Sequence, residues 1–197
     1  RTKLYINGGG PLIQDVTSRR SLWFYLFTLS AAKRLGNQVM MYGCGIGPIQ
    51  YPGNRKLAAN VLQKQVDAIT LRDMHSKTEL EQLGVNRPRV QLSADPTVIL
   101  PAAPPETLDA IMENMELDPK GANIGFGLRL WPGFESRASV FAAAADYAYE
   151  RHGLIPVFLP IESGSDVEAA NLVARQMKSP CHVLQDLGPS SHTIGLF

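Results

Sequence analysis

Arg72 and Arg129 are the side chains best suited to chemistry, because each follows directly on a short apolar run that reads as a β-strand. A guanidinium fork binds phosphate or carboxylate bidentately and stays charged at physiological pH. Facing each other across a cleft, the two would suit a small, doubly anionic ligand. For Arg72 an ion pair with Asp73 or Asp95 is the structural alternative. A second group is Gly8-Gly9-Gly10, behind the apolar run Leu4–Asn7 and ahead of Gln14, Asp15 and Thr17. Glycines reach backbone angles closed to other residues, so bare backbone can approach a ligand there. The polar residues that follow offer an amide, a carboxylate and a hydroxyl. An ordinary tight strand-to-helix turn explains the same residues. Asp15 reads equally as a base, as an orienting carboxylate, or as an acidic residue complementing a helix dipole.

Gly43, Gly45 and Gly47 end another apolar run, and Asp95-Pro96 follows a third. The glycines lack the spacing of a dinucleotide-binding fingerprint, and no phosphate-binding loop with a terminal Lys-Ser/Thr is present. No Gly-x-Ser-x-Gly elbow favours a hydrolase. Asp95 can equally be a turn former. His75, His152 and His192 read as solvated and His182 as structural, and none has a visible partner that would make it a base.

The elements carrying these residues alternate along the chain. Helical periodicity over 21–35 is closed by Gly36 and Asn37, and 55–66 has the same pattern. Ser76 with Glu79 reads as a capping box. Strands are expected at 4–7, 39–42, 68–71 and 90–92, each ending in glycine, polar or charged residues. In parallel sheets such ends share one edge, where ligands bind. Pro101-Ala102-Ala103-Pro104-Pro105 interrupts the alternation and reads as a linker. Beyond it come a short helix over 107–115, strands at 123–128, 155–159 and 182–184, and helices over 135–151 and 166–177. The pattern predicts an α/β protein of two doubly wound domains: residues 1–100, a linker with a short helix over 101–120, and residues 121–197.

Composition bounds the possibilities. Of 197 residues 45% are apolar and 19% charged, which suits a globular fold. A net charge of +1 without a basic run gives no support to a nucleic-acid partner. Cys44 and Cys181 stand alone, arguing for a reducing compartment and against structural zinc. No signal peptide or bilayer-spanning stretch is visible. Arg19 and Arg20 ahead of Leu22, Trp23 and Phe24 suit either a membrane surface or a core helix with a charged flank. The chain opens on Arg-Thr-Lys just before a strand and closes within helical pattern, as a piece of a longer polypeptide would.

Several segments together resemble one family. Tyr5 to Thr17 looks like its strand-GGG-x-L-L/I-Q-D-x-T segment, and Val39 to Pro48 is similar to its V-x-x-Y-x-x-G-I-G-P segment. Ile69-Thr70-Leu71-Arg72-Asp73 resembles its I-S-x-R-D strand, Asp95-Pro96 its x-D-P turn, and Gly125 to Arg129 the opening of its second domain. The family is that of the polysaccharide pyruvyl transferases, and the resemblance is to the CsaB type. It implies a GT-B-like pair of Rossmann-type domains, both truncated here, with the first strand and glycine-rich turn lying before residue 1. It implies transfer of the enolpyruvyl unit of phosphoenolpyruvate to an N-acetylmannosamine residue of a lipid-linked cell-wall precursor, the product anchoring S-layer proteins. No further cofactor and no metal are expected. Location would be cytoplasmic, at the inner membrane face where peripheral contact is made. Arg72 matches the arginine expected to hold the donor, with Arg129 and Asp15 in catalytic roles. Gly8, Gly9, Gly10, Gln14, Thr17, Gly45, Gly47 and Asp95 would bind substrate. The general acid–base histidine, in a Gly-x-Arg-x-His segment, would fall beyond Phe197, and His192 does not match it. A nucleotide-sugar glycosyltransferase of the same architecture, with Glu162 as its weak ribose-binding candidate, and a non-catalytic fragment are the alternatives.

Overall fold

A computed structural model describes residues 2–118 and 120–196. The chain divides into two compact units, Arg1–Ile99 and Leu100–Phe197. In the first unit, β1 (Leu4–Ile13), α1 (Arg19–Arg34), β2 (Gln38–Ile46), α2 (Pro52–Gln65), β3 (Ala68–Leu71), α3 (Met74–Gln82) and β4 (Arg89–Leu92) alternate. The strands form one parallel sheet in the order β1-β2-β3-β4.

Local chemistry explains the helices. Ser18 caps α1 by accepting from the Ser21 N–H at 3.2 Å. Leu22, Leu26 and Leu29 then fall on one face and are buried against Val39, Met41, Ile69 and Leu71 of the sheet. Each such leucine contributes roughly 2 kcal/mol by leaving water. For α3 the cap is Asp73, whose carboxylate accepts from the Ser76 N–H at 2.7 Å. The expected Ser76–Glu79 box is therefore corrected. Both residues lie inside the helix, where Ser76 Oγ accepts from Ile46 N–H and Glu79 pairs with Arg55.

The triglycine segment differs most from expectation. It is not a turn at a strand end: β1 runs through it to Ile13, pairing Gly8 with Tyr42 and Gly10 with Cys44. β2 likewise continues to Ile46, so the ladder has partners beyond Asn7 and the strand persists. Gly9 and Gly10 both have φ of 78°, and the register shifts between Gly10 and Ile13. Glycine here bends the strand instead of ending it.

Among the described residues the strand order advances in one direction, β1 to β4, with helices alternating between parallel strands as in Rossmann-like folds. A single buried cluster holds residues of α1, α2 and α3 together. Leu4, Ile6 and Tyr42 of the sheet remain exposed.

The second unit comprises α4 (Pro105–Asn114), β5 (Asn123–Phe126), α5 (Ala138–His152), β6 (Ile155–Phe158), α6 (Ser165–Ala174), β7 (His182–Val183) and α7 (Ser190–Leu196), with a parallel sheet in the order β5-β6-β7. Both faces are covered. Phe158 packs with Ala138 and Ala142 of α5 and Ala169, Ala170 and Val173 of α6. Val157 and Leu159 point the other way, into a cluster with Leu117, Leu184 and Leu187 that Met112 of α4 and Leu196 of α7 join. Alternation along a strand sends successive side chains to opposite faces. Alanine on the facing sides of α5 and α6 lets them lie close to the sheet. Gly153, at φ 66°, closes α5.

Candidate active site

The carboxyl edge of the first sheet is organised around Arg72, the residue after β3. Its guanidinium is half-buried and donates from Nη1 to Asp95 Oδ2 at 2.5 Å. Asp95 Oδ1 accepts from the Thr97 backbone N–H at 3.1 Å and the Thr97 hydroxyl at 2.9 Å. Those Thr97 bonds hold the Asp95 carboxyl below its ordinary value, with further help from Arg72 against the effect of burial. Among the described residues no second acceptor engages the Arg72 guanidinium. A planar cation fixed at one corner, with donors to spare, is suited to an anionic ligand.

Two glycines of β2 make this arrangement possible. A Cβ on Gly45 would sit 3.1 Å from Pro11 Cα and 3.7 Å from Arg72 Nε, so the bare strand lets both lie across it. Gly43 has φ of 59°, and a Cβ there would collide with the Pro96 ring. Pro96 thus docks on Gly43, which seats Asp95, which holds Arg72. Gly43→Ala is expected to cost about 1–3 kcal/mol through overpacking and left-handed strain. Urea unfolding checks this, and an unchanged midpoint would show that Pro96 yields freely. At Gly47, with φ of 83°, a Cβ would meet Glu79 Cγ at 2.6 Å. The tertiary contacts give Gly45 and Gly47 packing reasons to be glycine. Gly8 has one too, lying where a Cβ would be 3.0 Å from Tyr42 O. Gly9 is exposed with open space beside it.

Gln14, Asp15 and Thr17 are engaged within the protein. Gln14 Oε1 accepts from the Val16 and Thr17 N–H groups, and its amide donates to Thr17 Oγ1. Asp15 is buried and accepts from Gln50 N–H at 2.7 Å, Tyr51 N–H at 3.2 Å and Asn54 Nδ2 at 2.8 Å. Burial acts to raise its pKa, but these hydrogen bonds and the Arg19 charge outweigh it and hold the carboxyl below 3.8. Asp15 therefore pins the chain entering α2 and the Asn54 side chain of its first turn, while the N-cap Tyr51 supplies no side-chain bond. Such a carboxylate is a poor proton carrier near neutrality. Cys44 lies beneath the same edge, its thiol pushed up to about 11 by burial, and is no nucleophile.

In the second unit Arg129 stands past the end of β5, exposed, donating to Glu162 Oε2 at 3.0 Å. Its guanidinium carbon lies 5.9 Å from the Trp131 ring centre. Glu162, the ribose-binding candidate of the glycosyltransferase reading, is thus occupied by an arginine. A cavity of about 230 Å³ lies on the α4 side of this sheet, lined by Met112, Leu117 and Leu159. Another, of about 340 Å³, is lined by Arg129, Trp131, Phe134 and Arg137. Arg137 went unnoticed in the sequence. Its signal is spacing alone, eight residues after Arg129 and just ahead of α5.

Arg72, Asp95, Gly45 and the β1 segment at Pro11 are thus brought together, whereas Asp15, Gln14 and Thr17 serve their own loop. Among the described residues no three His, Cys, Asp or Glu side chains group as metal ligands. No helix of the described residues is long and apolar enough to cross a membrane.

The model of the family described as polysaccharide pyruvyl transferase matches residues 1–194. The chain belongs to the polysaccharide pyruvyl transferase family. It is accordingly a transferase, and the match takes in both compact units, so the Arg72 edge and the Arg129 loop both lie within pyruvyl transferase sequence. No curated protein matches the chain.

Proposed function

We propose that this pyruvyl transferase moves the enolpyruvyl group of phosphoenolpyruvate onto two hydroxyls of a saccharide, forming a ketal and releasing phosphate. Protonation of the donor's methylene carbon makes a methyl group and leaves an oxocarbenium-like centre at the neighbouring carbon. Two acceptor oxygens bond to that carbon as its bond to the phosphate oxygen breaks. One acceptor proton is accounted for at the new methyl and the other leaves with phosphate. The protein's part is mostly to hold two anionic groups and orient a diol.

The observation that carries this reading, within the family, is the Arg72–Asp95–Thr97 chain at the sheet's carboxyl edge. Arg72 takes a phosphate or carboxylate oxygen of the donor, Asp95 sets its plane, and the substrate reaches the Gly8-Gly9-Gly10 segment of β1 where Gly9 has open space beside it. Gly45 and Gly47 let Pro11, Arg72 and Glu79 pack across that edge. In the second unit Arg129 is by itself a group able to hold an anion, and Asp15, Gln14 and Thr17 keep the loop after β1 in place. In the CsaB-type reading the acceptor is an N-acetylmannosamine residue of a lipid-linked cell-wall precursor. The product anchors S-layer proteins, the units are GT-B-like, and the work is done at the cytoplasmic face of the membrane without a cofactor.

Phosphate release from phosphoenolpyruvate, followed with and without a saccharide bearing N-acetylmannosamine, tests this. The expected result is acceptor-dependent release with a pyruvate ketal visible by mass spectrometry. If calorimetry shows a nucleotide diphosphate sugar binding and phosphoenolpyruvate not binding, the glycosyltransferase reading replaces it. Binding of phosphoenolpyruvate without turnover would leave only a binding module.

A further inference from the structure

Helix α1 is apolar on two faces, but the fold uses only one. Leu22, Leu26, Leu29 and Ala32 are buried in the core. On the other side Trp23, Phe24 and Phe27 are 47%, 61% and 68% exposed, and Leu35 just past the helix is 72% exposed. Positions 20, 23, 24 and 27 make one stripe, since residues three and four apart are neighbours on a helix. A surface helix normally presents charged or polar residues there. A cluster of exposed aromatics on one stripe marks a contact surface.

Charge says what kind. The chain as a whole is balanced, with 19 Lys and Arg against 18 Asp and Glu. Helix α1 carries Arg19, Arg20, Lys33 and Arg34, α2 carries Arg55, Lys56 and Lys64, and neither helix contains a single Asp or Glu. Lys33 pairs with Asp67 and Arg55 with Glu79. Arg19, Arg20, Arg34, Lys56 and Lys64 face solvent. The two helices share this surface: Trp23 Nε1 donates to Asn54 Oδ1 at 3.0 Å, and Arg19 lies 4.4 Å over the exposed Tyr51 ring. Aromatic rings among cations, without acid, are what an anionic lipid interface receives. Protein interfaces, by contrast, are depleted in lysine.

We propose that the outer face of α1 and α2 docks on an anionic membrane surface, with Trp23, Phe24 and Phe27 entering the headgroup layer and Arg20, Arg34, Lys56 and Lys64 meeting lipid phosphates. The face is independent of which substrate the site takes. It begins at the carboxyl edge of the first sheet, because α1 starts from the loop that follows β1.

The test is co-sedimentation of the full chain with vesicles of phosphatidylcholine alone or mixed with phosphatidylglycerol. Binding is expected only to the mixed vesicles and to weaken as salt is added. Phe24→Ser with Phe27→Ser should reduce it at least tenfold, and each of Arg20→Glu and Arg34→Glu by roughly fivefold or more. These side chains are exposed, so circular dichroism should report an unchanged fold. In a Trp131→Phe background the remaining indole is Trp23, and its fluorescence should shift to the blue on mixed vesicles. Absence of binding, equal binding to neutral vesicles, or indifference to all four substitutions would each overturn the proposal. So would a stable dimer that the same phenylalanine substitutions dissolve, since the stripe would then face a second copy of the chain.

Discussion

Arg72→Ala is expected to lower kcat/KM for phosphoenolpyruvate by roughly a hundredfold or more while shifting stability by less than about 1 kcal/mol. The two effects separate for a physical reason. In the free protein Arg72 makes one ion pair with Asp95, both side chains about a third exposed, and pairs so placed contribute about 0–1 kcal/mol. When a preorganised donor faces charge that shifts during reaction, its removal costs about 2.7–4 kcal/mol of transition-state stabilisation. Arg72→Lys should recover little of the loss, because an ammonium cannot reproduce the planar fork that Asp95 orients. Asp95→Asn keeps the guanidinium but loosens it, and a loss nearer tenfold is expected. Steady-state phosphate release with the saccharide acceptor measures all three. Unchanged release for Arg72→Ala would remove the residue from the site, and a matching collapse of the urea midpoint would make its role structural.

Asp15→Ala is expected to do the reverse, destabilising the protein by about 3–5 kcal/mol. The carboxylate is buried and is the shared acceptor of Gln50 N–H, Tyr51 N–H and the Asn54 amide. Removing it strands two backbone donors at the start of α2 and one side-chain amide, and each unpaired buried donor costs about 1–3 kcal/mol. Asp15→Asn should be nearly as damaging, since half of its amide presents donors to donors.

The pH dependence has a definite sign. The folded pKa of Asp15 lies below the unfolded value, so the unfolded chain binds more protons in that range. The contribution is complete above about pH 4, near the unfolded carboxyl value, and is lost as pH falls through the folded one. Asp67, Asp73, Asp95 and Asp146 are depressed as well and add to the same acid weakening. Urea midpoints of wild type and Asp15→Ala should therefore differ widely at pH 7 and converge in acid. A constant difference across that range would mean that the carboxylate charge is not what holds the loop.

Much of the architecture followed from local pattern. Strand β3 falls on 68–71 as periodicity and composition placed it, and most other helices and strands lie within a few residues of their expected bounds, whereas β1 and β2 run on past Asn7 and Tyr42 to Ile13 and Ile46. Local chemistry set those bounds: apolar residues at helical or alternating spacing, proline at helix starts, glycine at Gly36 and Gly153 after helix ends. Arg72 also stood out from its neighbours alone, because a strand must end where Arg-Asp begins. The motifs in order and spacing carried the family.

The partners of the polar residues could not be read that way. Asp15 bonds to residues 35 to 39 positions away, Arg72 to one 23 away and Arg55 to one 24 away. Nothing in a local window says which of several carboxylates a cation will meet, since that depends on how parallel strands set their loops side by side. The triglycine shows the same division. Composition determined that the backbone after Asn7 would be free to bend, and that freedom is a property of glycine itself. Whether it turned away or stayed in the sheet was decided by β2, which runs on to Ile46 and supplies a hydrogen-bonding partner that no residue of β1 could announce.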